Sequence, residues 1–369
     1  VRNYKNILVA PLNWGLGHAT RCIPIINAII DNGDRPIIAS DGDALNLLKK
    51  EFPTLTFIEL PSYEISYQNE RGSLKLKLIK DSPRIWQAIR SEHKALQHLI
   101  IKYKLDGIIS DNRLGLYTNL IPTVFITHQL QVLSGGTTWL STQLHLHYIK
   151  KFDQCWIPDV KSYPNLSGKL SYNEDSDLKK IYLGPLSRFV PNNVQSHTYD
   201  LMVLLSGPEP QKSILERRLK KECEKFNGKV LFISGKVEKE QTIIKSGHIT
   251  YCNYLDTQGL QKAFDRSKLI LSRSGYTTVM DLQKLKKKAF FIPTPGQFEQ
   301  EYLAEHLQKA GFAPYCNQDE FDINMLKMVD EYKGLVESYS STTSISSSLE
   351  EAFSRVNENS DPIPNSLST

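Results

Sequence analysis

The chain has 369 residues, 40% of them hydrophobic and 23% charged, with a net charge of +5. That length is comfortable for two domains, each burying its own core, and the mild basicity suits an anionic ligand or a membrane surface. No dense Lys/Arg stripe with interleaved aromatics marks nucleic-acid binding, no apolar run reaches the ~18–20 residues of a spanning helix, and five cysteines without a CxxC read as reduced thiols in a cytoplasm.

A strand is expected at Ile7–Pro11, close enough to the start that no secretory signal is visible. A glycine turn follows, then a helix from about His18 to Asp31 with apolar positions at Ile23, Ile26, Ile29 and Ile30. Arg35–Ser40 reads as a strand, Ala44–Lys50 as a helix, and Thr56–Leu60, Asp106–Ser110 and Thr123–Thr127 as further strands. Such alternation implies a parallel sheet covered on both faces. Pro, Asn, Ser and Gly break the pattern around Ile157–Gly184, which reads as a linker.

A second series begins with strand Asp200–Leu205, helix Gln211–Phe226 and strand Lys229–Ser234; later come strands Lys268–Leu271 and Ala289–Pro293 with helix Thr277–Leu285 between them. The expected organisation is a domain at 1–183, linker included, a second at 184–340, and a Ser-rich tail at 341–369 that is loose apart from a short helix at Leu349–Val356. The fold class is therefore α/β, two Rossmann-like doubly wound domains facing across a cleft. Ligands of such sheets lie beyond the carboxyl ends of the strands.

Several constellations fall at those ends. Gly15–Thr20 (GLGHAT) is nearly the dinucleotide fingerprint GxGxxG, and Asp41 and Asp43 lie where such a fold keeps its ribose acid. The same aspartates could be a metal-binding DxD pair, but between a strand and a helix they read best as helix caps. His145 and His147, two apart on a helix, point away from each other and do not make a metal site. The lysines at 284 and 286–288 read as charge complementing a helix C-terminus. His18, by contrast, would sit at the cleft mouth, where an imidazole can take a proton near neutral pH.

In the second half, Leu271–Leu282 (LSRSGYTTVMDL) places a turn before a helix whose bare first amides attract phosphate, with Ser274 as a plausible cap. Asp281, on the same face about 10 Å along the helix, could accept ribose hydroxyls. Gln300 and Glu301 open the next helix with groups suited to sugar hydroxyls.

Together these motifs resemble the GT-B glycosyltransferases, nearest the MurG type and family 28, over roughly Ile7 to Gly311. The resemblance is most specific in SRSGYTTVMDL…FFIPTPGQFEQEYLAEHLQKAG, where Arg273-Ser274-Gly275, Thr278, Asp281, Gln300 and Glu301 fall on the nucleotide-sugar signature. It implies donor-binding roles for these residues and for Gly17, Arg188, Ser206, Gly207 and Tyr254. It also implies His18 as the base, with Asp111, as in plant-type GT-B enzymes, holding its other nitrogen.

Asp281 stands for the family's usual Glu and Glu301 for its second Gln, while Ser62–Leu133 departs from the MurG pattern, which points away from a peptidoglycan acceptor. The implied activity is inverting, metal-independent transfer from a UDP-sugar, with no cofactor, to a hydroxyl acceptor. GLGHATRC also resembles the opening of the nucleotide-sugar hydrolase of pseudaminic acid synthesis, so hydrolysis stands as the alternative, beside a silent nucleotide-sugar binder and, more remotely, an NAD-dependent dehydrogenase. Leu74–Lys80 (LKLKLIK) and Ile85–Lys104 mix basic and apolar residues as a peripheral membrane contact would, though a helix packed on its own sheet explains them as well.

Overall fold

The structure, a computed structural model, describes residues 4–63, 74–133, 138–172, 174, 177–192, 196–236, 240–336 and 343–354, the side chains of 74–84 aside. The first domain runs β1 (Asn6–Pro11), α1 (Gly17–Asp31), β2 (Arg35–Ser40), α2 (Gly42–Glu51), β3 (Thr56–Glu59), α3 (Leu74–Tyr103), β4 (Gly107–Asp111), β5 (Thr123–Ile126), α4 (Thr138–Ile149), β6 (Gln154–Ile157) and β7 (Lys180–Tyr182). Its seven parallel strands lie in the order β3-β2-β1-β4-β5-β6-β7. The reversal beside β1 is the switch point where doubly wound sheets open a crevice. Ile7 to Ala10 are all at most 1% exposed, as the central strand of a sheet covered on both faces requires.

The second domain runs β8 (Tyr199–Leu204), α5 (Gln211–Glu224), β9 (Val230–Ile233), β10 (Ile243–Ser246), β11 (Ile249–Cys252), α6 (Thr257–Asp265), β12 (Ser267–Ser272), α7 (Tyr276–Lys284), β13 (Lys288–Phe291) and α8 (Phe298–Lys309). The strand order β10-β11-β9-β8-β12-β13 repeats the first plan with an antiparallel strand added at the edge. That hairpin was not foreseen; it turns at Gly247, whose φ of +59° suits a residue without Cβ.

Turn-forming composition around 157–184 concealed an ordered segment. Asp159, buried, accepts from the amides of Val160 (2.8 Å), Leu166 (3.2 Å) and Ser167 (2.8 Å) and from the Ser167 hydroxyl, so one carboxylate organises the loop that leads to β7.

After α8 the chain returns to the first domain as α9 (Ile345–Phe353), begun by a Ser344/Ser347 capping box. Phe353 packs over Gly107, where an added Cβ would come within 2.4 Å of its ring. Gly107→Ala is accordingly expected to lower stability by about 1–3 kcal/mol through overpacking, measured by urea unfolding. One buried apolar cluster runs from Ile7 and Ile126 through Leu170 and Leu186 to Met280 and Leu303, so the two sheets share a continuous core. The residues Leu74–Lys80 belong to α3, but their side chains lie outside the described residues, as does 355–369. Among the described residues no helix is long and apolar enough to cross a membrane.

Candidate functional site

The carboxyl edges of the two sheets meet. Gly17, the first residue of α1, lies against the first turn of α7, where Thr277 Oγ1 donates to the Gly17 carbonyl at 3.3 Å. Further bonds cross the same boundary: Thr257 Oγ1 to Glu51 Oε2 at 2.9 Å, Tyr276 Oη to the Pro158 carbonyl at 2.8 Å, and the Lys169 amide to Tyr302 Oη at 2.6 Å.

His18 follows Gly17 on α1, with its side chain 14% exposed. Its Nδ1 is 2.8 Å from Oδ1 of Asp111, the buried last residue of β4. Arg21, three residues on and so on the same helical face, also reaches Asp111: Nε donates to Oδ2 at 2.5 Å and Nη2 to Oδ1. Burial lowers the His18 pKa, Arg21 lowers it further, and Asp111 opposes both. Burial alone would raise Asp111, but Arg21 and His18 overcome this and hold it far below the usual carboxylate range. Burial and Arg21 thus favour the neutral imidazole, the form a base needs.

Beyond Arg21 lie groups not singled out from the sequence. Nη1 of Arg21 is 3.1 Å from His128 Nδ1, and His128 Nε2 is 2.8 Å from Glu299 Oε1, in the first turn of α8. Gln129 Nε2 donates to the other Glu299 oxygen. Two signals were legible: the Arg three residues after His18, and the polar pair His128-Gln129 just past a strand end.

On the other side of the boundary, the N-cap of α7 is Gly275, not Ser274 as expected; no side chain caps the helix, and the Ser274 hydroxyl donates to the Gln300 carbonyl at 2.7 Å. Its first amides are left for another acceptor, and a Cβ on Gly275 would meet nothing within 4 Å, so the space before the helix is open. Thr278 lies half-buried in the same first turn. Asp281 is buried one turn further on, accepts from Ser187 Oγ at 2.6 Å, and interacts with Arg188, whose Nε finds no partner among the described residues. Ser206 and Gly207 are exposed after β8. Tyr254, half-buried after β11, is three strand positions from β12, about 14 Å at the usual spacing.

Three of the expected donor-binding side chains are engaged elsewhere. Arg273 points into the domain, donating to the carbonyls of Ile292 (3.1 Å), Pro293 (2.9 Å) and Gln211 (3.1 Å) and to Gln318 Oε1 (2.6 Å). It ties the loops under α7 and α8 together. Gln300 Oε1 accepts from the Thr294 amide at 2.9 Å and Glu301 Oε1 from the Gly296 amide at 2.8 Å, so both shape the loop ahead of α8. Asp41 stands at the N-cap of α2 without capping it; Arg113 takes one of its oxygens and Asn13 Nδ2 the other, at 3.2 Å. A cavity of about 390 Å³ lies beside α8, between Leu133 and Thr138 of the first domain and Phe298, Tyr302 and Tyr315 of the second.

Burial raises the Asp281 pKa to about 6, against Arg188 and the Ser187 bond. A carboxyl whose folded pKa exceeds its unfolded value of about 3.9 contributes most to stability below that value and loses the contribution as pH rises through about 6. Asp281→Asn is therefore expected to melt higher than the parent near pH 8 and to flatten the dependence of Tm on pH between about 4 and 8.

Solved structures of the same architecture include the Spinosyn Rhamnosyltransferase SpnG, at TM-score 0.62 and 12% identity over 89% of this chain and 93% of that one. Another is the glycosyltransferase SnogD from Streptomyces nogalater, at TM-score 0.61 and 12% identity over 96% of both chains. MurG of Acinetobacter baumannii aligns at TM-score 0.51 and 13% identity over 88% of this chain and 89% of that one. The protein thus has the two-domain GT-B fold of glycosyltransferases.

Residues 208–357 match the model of the Glycosyltransferase family 28 C-terminal domain. A curated relative, the UDP-N-acetylglucosamine--N-acetylmuramyl-(pentapeptide) pyrophosphoryl-undecaprenol N-acetylglucosamine transferase of Buchnera aphidicola subsp. Acyrthosiphon pisum (strain 5A), is 30% identical over 159 residues. That stretch is 40% of this chain and 44% of the relative, so the match spans less than half of either.

Proposed function

We propose that this chain is an inverting, metal-independent glycosyltransferase that moves a hexose or N-acetylhexosamine from a UDP-sugar to a hydroxyl of a cell-envelope glycan, lipid or small molecule. The observation that carries the reading is the juxtaposition of a carboxylate-held imidazole with an uncapped helix start from the other domain, joined through the Thr277–Gly17 bond. His18 Nε2 takes the proton of the acceptor hydroxyl while Asp111 holds Nδ1. The hydroxyl attacks the anomeric carbon from the face opposite the leaving group, which inverts it through an oxocarbenium-like transition state.

Charge developing on the departing diphosphate is met by the first amides of α7 and by Arg188, whose Nε has no partner among the described residues. On this reading Asp281 accepts the ribose hydroxyls, and Ser206, Gly207 and Thr278 line the approach. Support for the donor class comes from the family 28 domain and from the Buchnera relative, whose name specifies a UDP-linked sugar. The protein acts, on this reading, in the cytoplasm, peripherally at the membrane where its acceptor is lipid-linked.

The test is a thermal-shift panel of nucleotide sugars, followed by assays of the best binder with and without hydroxyl acceptors. Transfer to an acceptor is the expected outcome. Free sugar released at the same rate without acceptor would identify a hydrolase instead, and binding without turnover a silent binder.

A further inference from the structure

The donors and acceptors around His18 admit two arrangements, only one of which leaves a base. Nδ1 lies 2.8 Å from Asp111 Oδ1, which only accepts, and 2.8 Å from Arg21 Nη2, which only donates. With its proton on Nδ1, the ring donates to Asp111 and Nε2 keeps its lone pair. With Nδ1 bare, the ring accepts from Arg21, the proton sits on Nε2, and no acceptor hydroxyl can be deprotonated there. Both forms are neutral; the difference is which neighbour Nδ1 serves.

The placement of Arg21 decides between them, and it is fixed from its far side. Nε and Nη2 fork onto Asp111, while Nη1 faces His128 Nδ1 at 3.1 Å. A guanidinium can only donate, so this last bond needs His128 Nδ1 bare and its proton on Nε2. Glu299 enforces that tautomer, since its carboxylate, 2.8 Å from Nε2, only accepts. Gln129 steadies Glu299, and the Tyr276 ring stacks on His128 at 4.2 Å and 9°. His128 and Gln129 belong to the first domain, Glu299 and Tyr276 to the second. Without Glu299, His128 is free to carry its proton on Nδ1, facing Nη1 donor to donor. The guanidinium then turns toward the remaining acceptor within reach, Nδ1 of His18.

We propose, resting on the reading of His18 as the base, that Arg21 is the positioning residue that sets the His18 tautomer. Glu299, acting through His128, holds Arg21 in the fork that leaves His18 Nε2 able to take a proton. Contact between the domains and readiness of the base are then one event.

The test is nitrogen NMR of the full chain labelled at histidine, which distinguishes a protonated from a bare ring nitrogen, with kcat and donor Kd measured alongside. His18 in the parent is expected to carry its proton on Nδ1. Glu299→Ala is expected to move it toward Nε2 and to lower kcat by about tenfold or more, short of the ~10⁴ that a fully wrong tautomer costs a histidine base. Adding His128→Asn supplies a carbonyl oxygen facing Nη1 that accepts whether or not Glu299 is present, and is expected to restore both the Nδ1 proton and most of the turnover. A role for Glu299 confined to folding or donor binding would not be rescued in this way. A parent protonated at Nε2, a Glu299→Ala variant with an unchanged tautomer, or a double variant no better than the single would each overturn the proposal. The tautomer is read without substrate, so a chain that transfers no sugar would refute the proposed reaction and leave this test standing.

Discussion

Replacing His18 by alanine is expected to lower kcat by about 10²–10⁴-fold, the usual worth of a positioned general base, with donor affinity changed by no more than about threefold. The split follows from the architecture. The imidazole stands on the first domain, and the groups proposed for the donor, Arg188, Asp281 and the start of α7, stand on the second. The pH profile carries a second signature. Burial and Arg21 lower the His18 pKa, so activity is expected to hold down to pH values below the ordinary imidazole value of about 6.5 before it declines. Steady-state kinetics of His18→Ala and of the parent from about pH 5 to 8 check both. Near-normal turnover in the variant would remove His18 from the chemistry.

Arg113→Ala is expected to destabilise the fold by about 3–5 kcal/mol, the range for removing one partner of a buried ion pair. Arg113 is fully buried and faces two carboxylates, Asp41 and Glu92; Nε also donates to the Pro11 carbonyl at 3.0 Å. Glu92 further accepts from Tyr63 Oη at 2.7 Å, which ties α3 to the segment that follows β3. With the guanidinium gone, both acids stay in an apolar setting without a counter-charge.

Burial already raises the Glu92 pKa, with Arg113 the chief opposing influence. A group raised in the folded state favours folding below its unfolded pKa and loses that contribution as pH rises. The deficit of Arg113→Ala should therefore be largest near pH 8 and shrink toward pH 5, and Glu92→Gln should recover part of it. Urea unfolding across that range measures the effect; a loss under about 1 kcal/mol at pH 8 would mean the network is dispensable.

The architecture was legible because parallel strands covered on both faces read as short continuous apolar runs, and Ile7–Pro11, Asp200–Leu205 and Ala289–Pro293 each announce one. The β10–β11 hairpin was not, since Ile243 and Ile244 are exposed on an edge and no alternating pattern marks them. His18 stood out because imidazole is unusual in a glycine turn. Arg273 illustrates the opposite case: its place in the motif pointed to a ligand, but motif position says nothing of direction, and its guanidinium turns inward to carbonyls. Arg21, His128 and Glu299 come together only through folding, being 107 and 171 positions apart along the chain at successive links.

Because α9 settles back beside α1, the polypeptide passes between the halves twice. A body tethered at one point can swivel in any direction; tethered at two, it turns about the line joining them. Any parting of the halves has therefore to be taken up at both crossings, where a single linker would take it up at one.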